Sequence, residues 1–293
     1  MPDLEPTLLD KLRRVGFQPD GPPFSVGRPD HATLPLVSPA GAPVVAKLYP
    51  HGGGERCFED MRRLWASSFG SRRSPPGLPR PVEYLRDVQA LLIERVDGRV
   101  LLETGTPLWT ALKGTVSLLA DLHESDAEPT RRRDPRKLRR SIRSRAKGAR
   151  DLAPKLAPRF EDLADALEAY AVTPGSLVPS HGDFSPRNVL VSAERLLLID
   201  WDRFQWADPA RDVAYFGAWC WVNRLRGGVD SWAILDRAIA LYGERRSEPV
   251  DDRRMRFHVA AALGRIAYGL VRLWREDLRL VPTVLDEAIR RLR

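Results

Sequence analysis

The sequence predicts an α+β fold in which a lobe rich in β-strands precedes a lobe that is mainly helical. Short apolar runs separated by Pro- and Gly-rich turns dominate the chain before Gly98, a pattern typical of strands. Beyond Gly98, apolar residues recur every three or four positions, as they do on the buried face of a helix. One pair of apolar runs, 189–191 and 196–199, interrupts this helical pattern and predicts a hairpin.

The N-terminal lobe, residues 1–96, is expected to hold one antiparallel sheet and one main helix. An amphipathic helix at 4–15 precedes the sheet, and the main helix is predicted at 55–67, after the glycine triplet at 52–54. The remaining apolar runs predict strands at 24–26, 33–38, 43–49, 82–85 and 89–96.

The C-terminal lobe, residues 97–293, follows a hinge near 94–98. The helix at 252–276 shows a stripe of apolar residues from Met255 to Leu273, which indicates that one of its faces is buried in the core. The other helices are expected at 108–124, 160–170, 209–223, 231–242 and 282–292.

Composition excludes several classes of protein. With 293 residues, of which 43% are hydrophobic and 29% charged, the chain is long enough to bury a sizeable core. Its apolar runs are shorter than a membrane span and its N-terminus does not resemble a signal peptide, so the cytoplasm is the predicted location. Cys57 and Cys220 lie far apart without metal-ligand spacing and are expected to be buried free thiols. The oligomeric state stays open.

The net charge of +8 is concentrated in one segment. Residues 129–150 hold eleven Lys and Arg against one Asp, and the rest of the chain is close to balance. No general nucleic-acid-binding surface is therefore implied, and nucleic acid is not an expected partner. Three interpretations of the basic segment 131–150 stay open: a solvated helix face, guidance of an anionic acceptor, or contact with RNA or an anionic membrane.

The stretch His181–Asp202 carries the clearest functional pattern. Asp183 is followed five residues later by Asn188, the predicted hairpin comes next, and Asp200 ends its second run. Because the strands of a hairpin are antiparallel, their outer ends lie together, and these three side chains should converge. Such a set of oxygen ligands beside a free carboxylate suits Mg²⁺ and a phosphoryl donor.

A lysine lies far upstream, inside the apolar run PVVAKLY. This residue, Lys47, together with the acidic helix after it, HGDFSPRN at 181–188 and IDWD at 199–202, resembles the aminoglycoside phosphotransferase family of small-molecule kinases. That family is related to choline kinase and to the protein kinases. The resemblance extends from about Phe24 to about Trp221, and it implies a bilobal fold similar to that of protein kinases.

The resemblance implies an ATP- and Mg²⁺-dependent phosphotransferase. In such an enzyme, Asp183 would accept the proton of the attacking hydroxyl group. Asn188 and Asp200 would ligate the Mg²⁺ that bridges the phosphates.

The same resemblance assigns the nucleotide contacts. Lys47 would lie against the α- and β-phosphates, with its ammonium group held by an acidic residue of the following helix, Glu59 in preference to Glu55. The Glu94 carbonyl and the Val96 amide would face the edge of the base. Recognition by backbone groups also admits guanine, so GTP is an alternative to ATP.

Four further residues have supporting or substrate roles in this scheme. The resemblance places His181 outside the chemistry, as a residue that holds the loop, and it implies that Asp212 buttresses that loop. As a charge inside a helix, Asp212 requires a buried partner. Arg187 is a candidate for a positive charge near the transferring phosphate, with solvent as the alternative, and Asp202 is a candidate for the acceptor cleft.

The sequence departs from the protein-kinase pattern in two places. The turn over the phosphates has one glycine, Gly27, and no GxGxxG pattern. Seven residues separate Asp200 from Asp208, which leaves no room for the peptide-docking activation loop of a protein kinase. The acceptor is therefore expected to be a small hydroxylated molecule: an aminoglycoside or other antibiotic, or a sugar or amino-alcohol metabolite.

The alternative from another class is a nucleotide-binding non-enzyme that docks an anionic partner through 131–150. A kinase that had lost its activity should have lost at least one of the residues that carry the chemistry. All four are present, which favours the enzyme; they are Lys47, Asp183, Asn188 and Asp200.

Overall fold

The computed structural model describes residues 6–22, 24–25, 32–103, 108–173, 175–246 and 250–293. Its helices are α1 (Pro6–Arg14), α2 (Gly54–Ala66), α3 (Ser68–Ser71), α4 (Leu108–His123), α5 (Pro135–Leu152), α6 (Ala157–Ala169), α7 (Ala210–Arg226), α8 (Ala233–Arg245), α9 (Asp252–Arg272) and α10 (Val281–Arg290). Its strands are β1 (Gln18–Pro19), β2 (Phe24–Ser25), β3 (Ala32–Val37), β4 (Pro43–Leu48), β5 (Pro81–Leu85), β6 (Ala90–Glu94), β7 (Arg99–Val100), β8 (Val178–Ser180), β9 (Val189–Val191), β10 (Leu196–Leu198) and β11 (Gln205–Ala207). The predicted α+β fold is confirmed. The predicted turn at Gly27 lies outside the described residues.

An antiparallel sheet of six strands forms the N-terminal part of the described chain, in the order β1-β3-β4-β6-β5 with β2 paired to β3. Ala46 of β4 faces an apolar cluster that includes Leu12 of α1. Because side chains alternate along a strand, Lys47 points to the opposite face, on which α2 packs. The register places Lys47 between Thr33 of β3 and Leu91 of β6, so the sheet determines where its side chain emerges.

The helical part is built around α7, which is buried without interruption from Asp212 to Val222. Helix α7 packs against α8 and α9, and α9 packs in turn against α5, α6 and α10. The predicted stripe of α9 lies in this core, where Met255, Leu263 and Leu270 are all buried. Burial of apolar surface on this scale supplies the main stabilising free energy of the fold. None of the helices that the structure describes is long and apolar enough to cross a membrane.

Two short strand pairs lie between α6 and α7. Strands β9 and β10 form the predicted antiparallel hairpin, and β7 adds to the other edge of β9. Strands β8 and β11 pair with each other and were not predicted. The loop 181–188 leaves β8 and enters β9, so both pairs determine its position. A 3₁₀ turn at Trp201–Arg203 and β11 take up the seven residues between Asp200 and Asp208.

Helix α9 ends earlier than the apolar pattern predicts, at Arg272, and a 3₁₀ helix follows at Arg275–Leu280. The amides of Leu273 and Trp274 both donate to the carbonyl oxygen of Gly269. The Trp274 ring fills the space beside this glycine, 2.8 Å from where a Cβ would stand. The chain therefore folds back onto its own helix. Apolar residues beyond Arg272 still pack against α9, which is why the apolar pattern predicted a longer helix.

The two cysteines lie in the core. Cys57 on α2 and Cys220 on α7 are buried and form no disulfide, which confirms the prediction of buried free thiols. Burial raises the pKa of the Cys57 thiol to about 12 and also raises the pKa of Cys220. Both thiols are therefore protonated and weakly nucleophilic at neutral pH.

Candidate active site

The loop 181–188 carries several of the residues predicted to be functional. Gly182 in this loop has a φ of 76°, in the left-handed region that side chains disfavour. A Cβ at this position would lie 2.2 Å from Nε2 of Gln205 and 2.3 Å from the carbonyl oxygen of Arg203. The glycine therefore lets the loop pack tightly against the segment that follows the hairpin.

Asp212 fixes the backbone of this loop. Its carboxylate accepts hydrogen bonds from the amides of His181, at 2.7 Å, and Gly182, at 2.9 Å. Its Oδ2 also lies 3.4 Å from Nε2 of His123, whose Nδ1 lies 2.6 Å from the Tyr242 hydroxyl. Burial alone would raise the pKa of Asp212, but the hydrogen bond from His123 contributes to an overall lowering. His123 is thus the buried partner that a charge inside a helix requires.

His181 links the loop to the end of the hairpin. Its ring is fully buried, with Nε2 3.0 Å from the carbonyl oxygen of Ile199 and Nδ1 3.3 Å from the amide nitrogen of Asp183. The ring also packs on Trp201, with ring centroids 4.7 Å apart. Both ring nitrogens are engaged inside the protein, an arrangement that suits a structural residue.

Two arginines face the carboxylate of Asp183. Nη2 of Arg265, on α9, donates to Oδ1 at 2.7 Å, and Nε of Arg203 lies 3.4 Å from Oδ2. The Arg265 guanidinium also donates to the carbonyl oxygen of Gly182 at 3.0 Å and lies over the Tyr215 ring, 4.2 Å from its centroid. These contacts orient Asp183 and leave its side chain 19% exposed, so that a hydroxyl group can approach it.

The hairpin brings Asn188 and Asp200 to one end. Nδ2 of Asn188 donates to the carbonyl oxygen of Asp183 at 2.8 Å, and the Asn188 carbonyl oxygen accepts from the amide of Ile199 at 3.0 Å. Asp200 follows with a φ of 68°, in a left-handed conformation that residues other than glycine adopt rarely. Strain of this kind is common at functional sites, and here it accompanies a carboxylate directed at Lys47.

Lys47 bridges two carboxylates. Its Nζ lies 2.5 Å from Oδ1 of Asp200 and 2.8 Å from Oδ2 of Asp202. Burial would lower the pKa of Lys47, but these two carboxylates raise it overall. Burial would likewise raise the pKa of Asp200, and Lys47 instead lowers it to about 2. Two carboxylates therefore face one ammonium group.

This arrangement fits a Mg²⁺ ion bound together with phosphates. Two carboxylates share one ammonium group, and the Asp200 side chain is 40% exposed, so it remains accessible to a further cation. In phosphoryl-transfer sites, Mg²⁺ is held by one or two protein ligands, while phosphates and water complete its shell. Asp200 and Asn188 would supply those two ligands. Among the described residues, no group of three or more His, Cys, Asp or Glu side chains is placed to hold a metal ion by itself.

Tyr49 was not singled out from the sequence, yet it belongs to the lysine site. Its hydroxyl donates to Oδ1 of Asp202 at 2.5 Å, and Nζ of Lys47 lies 5.4 Å from its ring centroid. Tyr49 comes two residues after Lys47, and this spacing along an extended chain could have indicated that both share a face. The structure places Asp202, a candidate for the acceptor cleft, against Lys47 and Tyr49.

Tyr49→Phe is expected to weaken nucleotide binding without unfolding the protein. The variant removes one hydrogen bond to Asp202, worth about 0.5–1.5 kcal/mol, so the Kd of Mg·ATP should rise about two- to tenfold. Calorimetric titration checks this, with Tyr84→Phe, a half-buried tyrosine of β5, as the control. Equal Kd values for the two variants would contradict the role of Tyr49.

The prediction that Glu59 holds Lys47 is wrong in this structure. Its carboxylate is 46% exposed and lies 3.6 Å from Arg62 on the same helix, and Glu55 forms a surface ion pair with another arginine. The physical reason is the rotation of α2 about its axis. The buried side of that helix runs through Cys57, which approaches the lysine, so Glu59 points away from it.

The predicted hinge begins at the end of β6. The Glu94 carboxylate accepts from the amide of Arg80 at 2.9 Å and pairs with Arg195 at 2.8 Å. Arg195 lies in the turn of the β9–β10 hairpin and is only 9% exposed, so this ion pair ties the sheet to the helical part. The roles of the Glu94 carbonyl and the Val96 amide in binding the base stay predictions.

Arg187 lies between two indole rings. Its guanidinium carbon is 4.5 Å from the ring centroid of Trp274 and 5.2 Å from that of Trp219. Burial lowers the pKa of this half-buried arginine. The aromatic contacts orient its charge on the side of the loop that faces α7, and its contact with a phosphate stays a prediction.

Arg265 and His123 are further residues of the site that the sequence did not predict. Arg265 lies 82 residues beyond Asp183, on a helix with several arginines, and no local pattern distinguishes it from a solvent-facing arginine. His123 ends α4, where a histidine also favours the helix dipole, so its buried contact with Asp212 left no signal.

Solved structures share this fold over nearly their whole length. A macrolide 2′-phosphotransferase from Brachybacterium faecium is similar with a TM-score of 0.59 and 20% identity, over 98% of this chain and 98% of that one. A spectinomycin phosphotransferase, solved with ADP and spectinomycin, is similar with a TM-score of 0.63 and 15% identity, over 98% and 96%. A choline kinase from Streptococcus pneumoniae is similar with a TM-score of 0.60 and 14% identity, over 98% and 97%. These likenesses confirm the kinase-like fold.

The comparison with protein families covers most of the chain. The model of the phosphotransferase enzyme family matches residues 28–282. A comparison with curated proteins gives no match. The family match confirms the expected phosphotransferase, and the chain belongs to the phosphotransferase enzyme family.

Proposed function

We propose that the protein is a cytoplasmic kinase that uses ATP and Mg²⁺ to phosphorylate a hydroxyl group of a small molecule. The proposal rests on two side-chain contacts that lie together at one end of the hairpin. Lys47 contacts Asp200, and Asn188 contacts the backbone of Asp183. ATP as the donor is supported by a relative of the same fold that was solved with ADP. GTP is the alternative donor, because backbone groups at the hinge are proposed to read the base.

In the proposed reaction, the acceptor oxygen forms a bond to the γ-phosphorus as the bond from that phosphorus to the β–γ bridging oxygen breaks. The hydroxyl proton passes to the carboxylate of Asp183, which Arg265 orients. With a loose transition state, positioning of the hydroxyl contributes more than the basicity of the carboxylate. Lys47, aligned by Asp202, contacts the α- and β-phosphates. Mg²⁺ would supply neutralising charge on the phosphates.

A small acceptor is proposed rather than a protein substrate. The residues between Asp200 and Asp208 form a 3₁₀ turn and a strand paired with β8, so they belong to the folded core and not to a docking loop. Proteins of the same fold are named for macrolides, spectinomycin and choline as acceptors. Those names support a hydroxylated antibiotic, sugar or amino alcohol as the class to test.

Lys47→Met is expected to raise the Kd of Mg·ATP by about ten- to a hundredfold, because a hydrogen bond to a charged group contributes about 1.5–3 kcal/mol. Calorimetric titration measures this Kd without knowledge of the acceptor. Lys113→Met, which removes an exposed lysine on α4, is the matched control. A Kd that Lys47→Met leaves at the native value would place the phosphates elsewhere.

The function itself is tested by transfer of labelled γ-phosphate. ATP and Mg²⁺ are incubated with the protein and a panel of aminoglycosides, cyclic peptides, sugars, amino alcohols and hydroxylated anions. We expect one class to yield a phosphorylated product, only with Mg²⁺ and not with Asp183→Asn. Binding of Mg·ATP without transfer to any class would contradict the proposal.

A further inference from the structure

Arginines from several elements of the helical part gather around Asp183. Arg265 and Arg203 face its carboxylate, and Arg211 on α7 donates to the carbonyl oxygen of the neighbouring Gly182. Two further half-buried arginines, Arg133 ahead of α5 and Arg145 on α5, lie near Arg265. Arg133, Arg145 and Arg211 are each close enough to Arg265 to be repelled by its charge. We call these five residues the arginine cluster.

Some members of the arginine cluster donate to neutral groups. Arg211 and Arg265 both donate to the carbonyl oxygen of Gly182, at 3.4 and 3.0 Å. Arg145 donates to the carbonyl oxygen of Ser141 at 2.8 Å. Nη1 of Arg211 is buried without a hydrogen-bond partner among the described residues. Carbonyl oxygens satisfy single N–H groups, but they contribute no negative charge.

Like charges held together away from water raise the energy of a site. Burial, followed by the charge of Arg265, lowers the pKa of Arg145 to about 10 and that of Arg211 to about 9. Both side chains still carry a proton at neutral pH. Asp212 compensates part of the charge of Arg211 and Arg265, and Asp134 compensates part of that of Arg133. With Asp183, these are three carboxylates against five arginines, so the arginine cluster keeps a surplus of positive charge.

The basic segment 131–150 contains both half-buried and exposed basic residues. Arg133 and Arg145 are half buried and belong to the arginine cluster. The exposed members of the segment are Arg132, Arg136, Lys137, Arg140, Lys147 and Arg150. The exposed set is an ordinary solvated face, as charge runs usually are, whereas Arg133 and Arg145 lie near Arg265, which contacts Asp183.

We propose that the arginine cluster binds an anionic group of the acceptor, so that the molecule phosphorylated is a small hydroxyl compound carrying a carboxylate or a phosphate. This inference rests on the proposed function, because the cluster is defined by its place around Asp183. Guanidinium groups present paired donors that match the oxygens of carboxylates and phosphates. An anion bound there compensates the surplus charge and holds the hydroxyl group beside Asp183. The same charges repel a polycationic acceptor such as an aminoglycoside.

Anion binding is tested first, without turnover. Sulfate is titrated, at constant ionic strength, into protein saturated with Mg²⁺ and a non-hydrolysable ATP analogue, and tryptophan fluorescence is recorded. The proteins compared are the native chain, Arg145→Gln and Arg140→Gln, which removes an exposed charge from the same helix. We expect the Kd of sulfate to rise about tenfold in Arg145→Gln and to stay unchanged in Arg140→Gln.

Three results would overturn the inference. They are absence of sulfate binding by the native chain, equal sulfate Kd values in the two variants, and loss of affinity for the ATP analogue in Arg145→Gln. The last result would mean that the arginine cluster serves the nucleotide.

The acceptor class is tested next with four matched compounds: glycerol, choline, glycerol 3-phosphate and glycerate. Transfer of phosphate to one or both anions in preference to glycerol and choline supports the inference. The preferred anion then shows whether the arginine cluster binds a phosphate, as in glycerol 3-phosphate, or a carboxylate, as in glycerate. Preference for choline or glycerol over both anions overturns it. The two failures are distinguishable, because sulfate binding needs no turnover. A protein that binds sulfate as expected but transfers phosphate to no compound contradicts the proposed function.

Discussion

Asp183→Asn is expected to lower kcat by about a hundred- to ten-thousandfold, the range that general-base residues contribute. The amide cannot take the proton of the attacking hydroxyl, and it also loses the charge that pairs with Arg265. The Kd of Mg·ATP should stay close to the native value, because Lys47 contacts Asp200 and Asp202 rather than Asp183.

Phosphate-transfer kinetics with the acceptor found in the panel, together with calorimetric titration of Mg·ATP, measure both quantities. Asp87→Asn, an exposed aspartate of the N-terminal part, is the control. A kcat close to the native value would remove Asp183 from the chemistry. A loss of Mg·ATP affinity as large as the loss of turnover would assign Asp183 to the nucleotide instead.

Asp212→Ala is expected to lower the free energy of unfolding by about 3–5 kcal/mol, because each buried donor left without an acceptor costs about 1–3 kcal/mol. The variant leaves the amides of His181 and Gly182 and the ring of His123 without their acceptor. Urea unfolding at 25 °C measures the change, and Asp162→Ala, an exposed aspartate of α6, is the control.

The contribution of Asp212 should also depend on pH. Its pKa is lowered in the folded protein from an ordinary value of 3.8, so its stabilising effect is complete above that value and is lost as the pH falls through the lowered pKa. The difference in unfolding free energy between the native chain and Asp212→Ala should therefore shrink in strong acid. A difference below about 1 kcal/mol at neutral pH would contradict the network.

Local patterns were sufficient for the main helices and for the hairpin. Apolar spacing is a property of neighbouring residues, so it predicted α2, α4, α7 and the β9–β10 pair. The same pattern predicted that Asn188 and Asp200 lie close together, because the register of one hairpin places their backbones side by side. The pair β8 and β11 escaped prediction, because strands of three residues show no alternation and their pairing joins distant segments.

Local sequence patterns did not predict which carboxylate contacts Lys47. An acidic residue on α2 was expected, but the rotation of that helix turns Cys57 inward and Glu59 outward. Asp202 takes the place of that acidic residue, and Tyr49 holds it. The choice between two carboxylates depends on how a helix packs on a sheet, which spacing along one helix does not specify.

Local sequence patterns were enough to predict phosphoryl transfer, because the residues proposed for it lie in one stretch, His181–Asp202, and in one strand around Lys47. The surroundings of Asp183 depend instead on how distant helices pack. Arg265 on α9 contacts Asp183, and Arg145 on α5 lies near Arg265, although the two helices are distant along the chain. An arginine carries the same charge wherever it lies, and only the packing of helices decides whether that charge faces solvent or lies near Asp183.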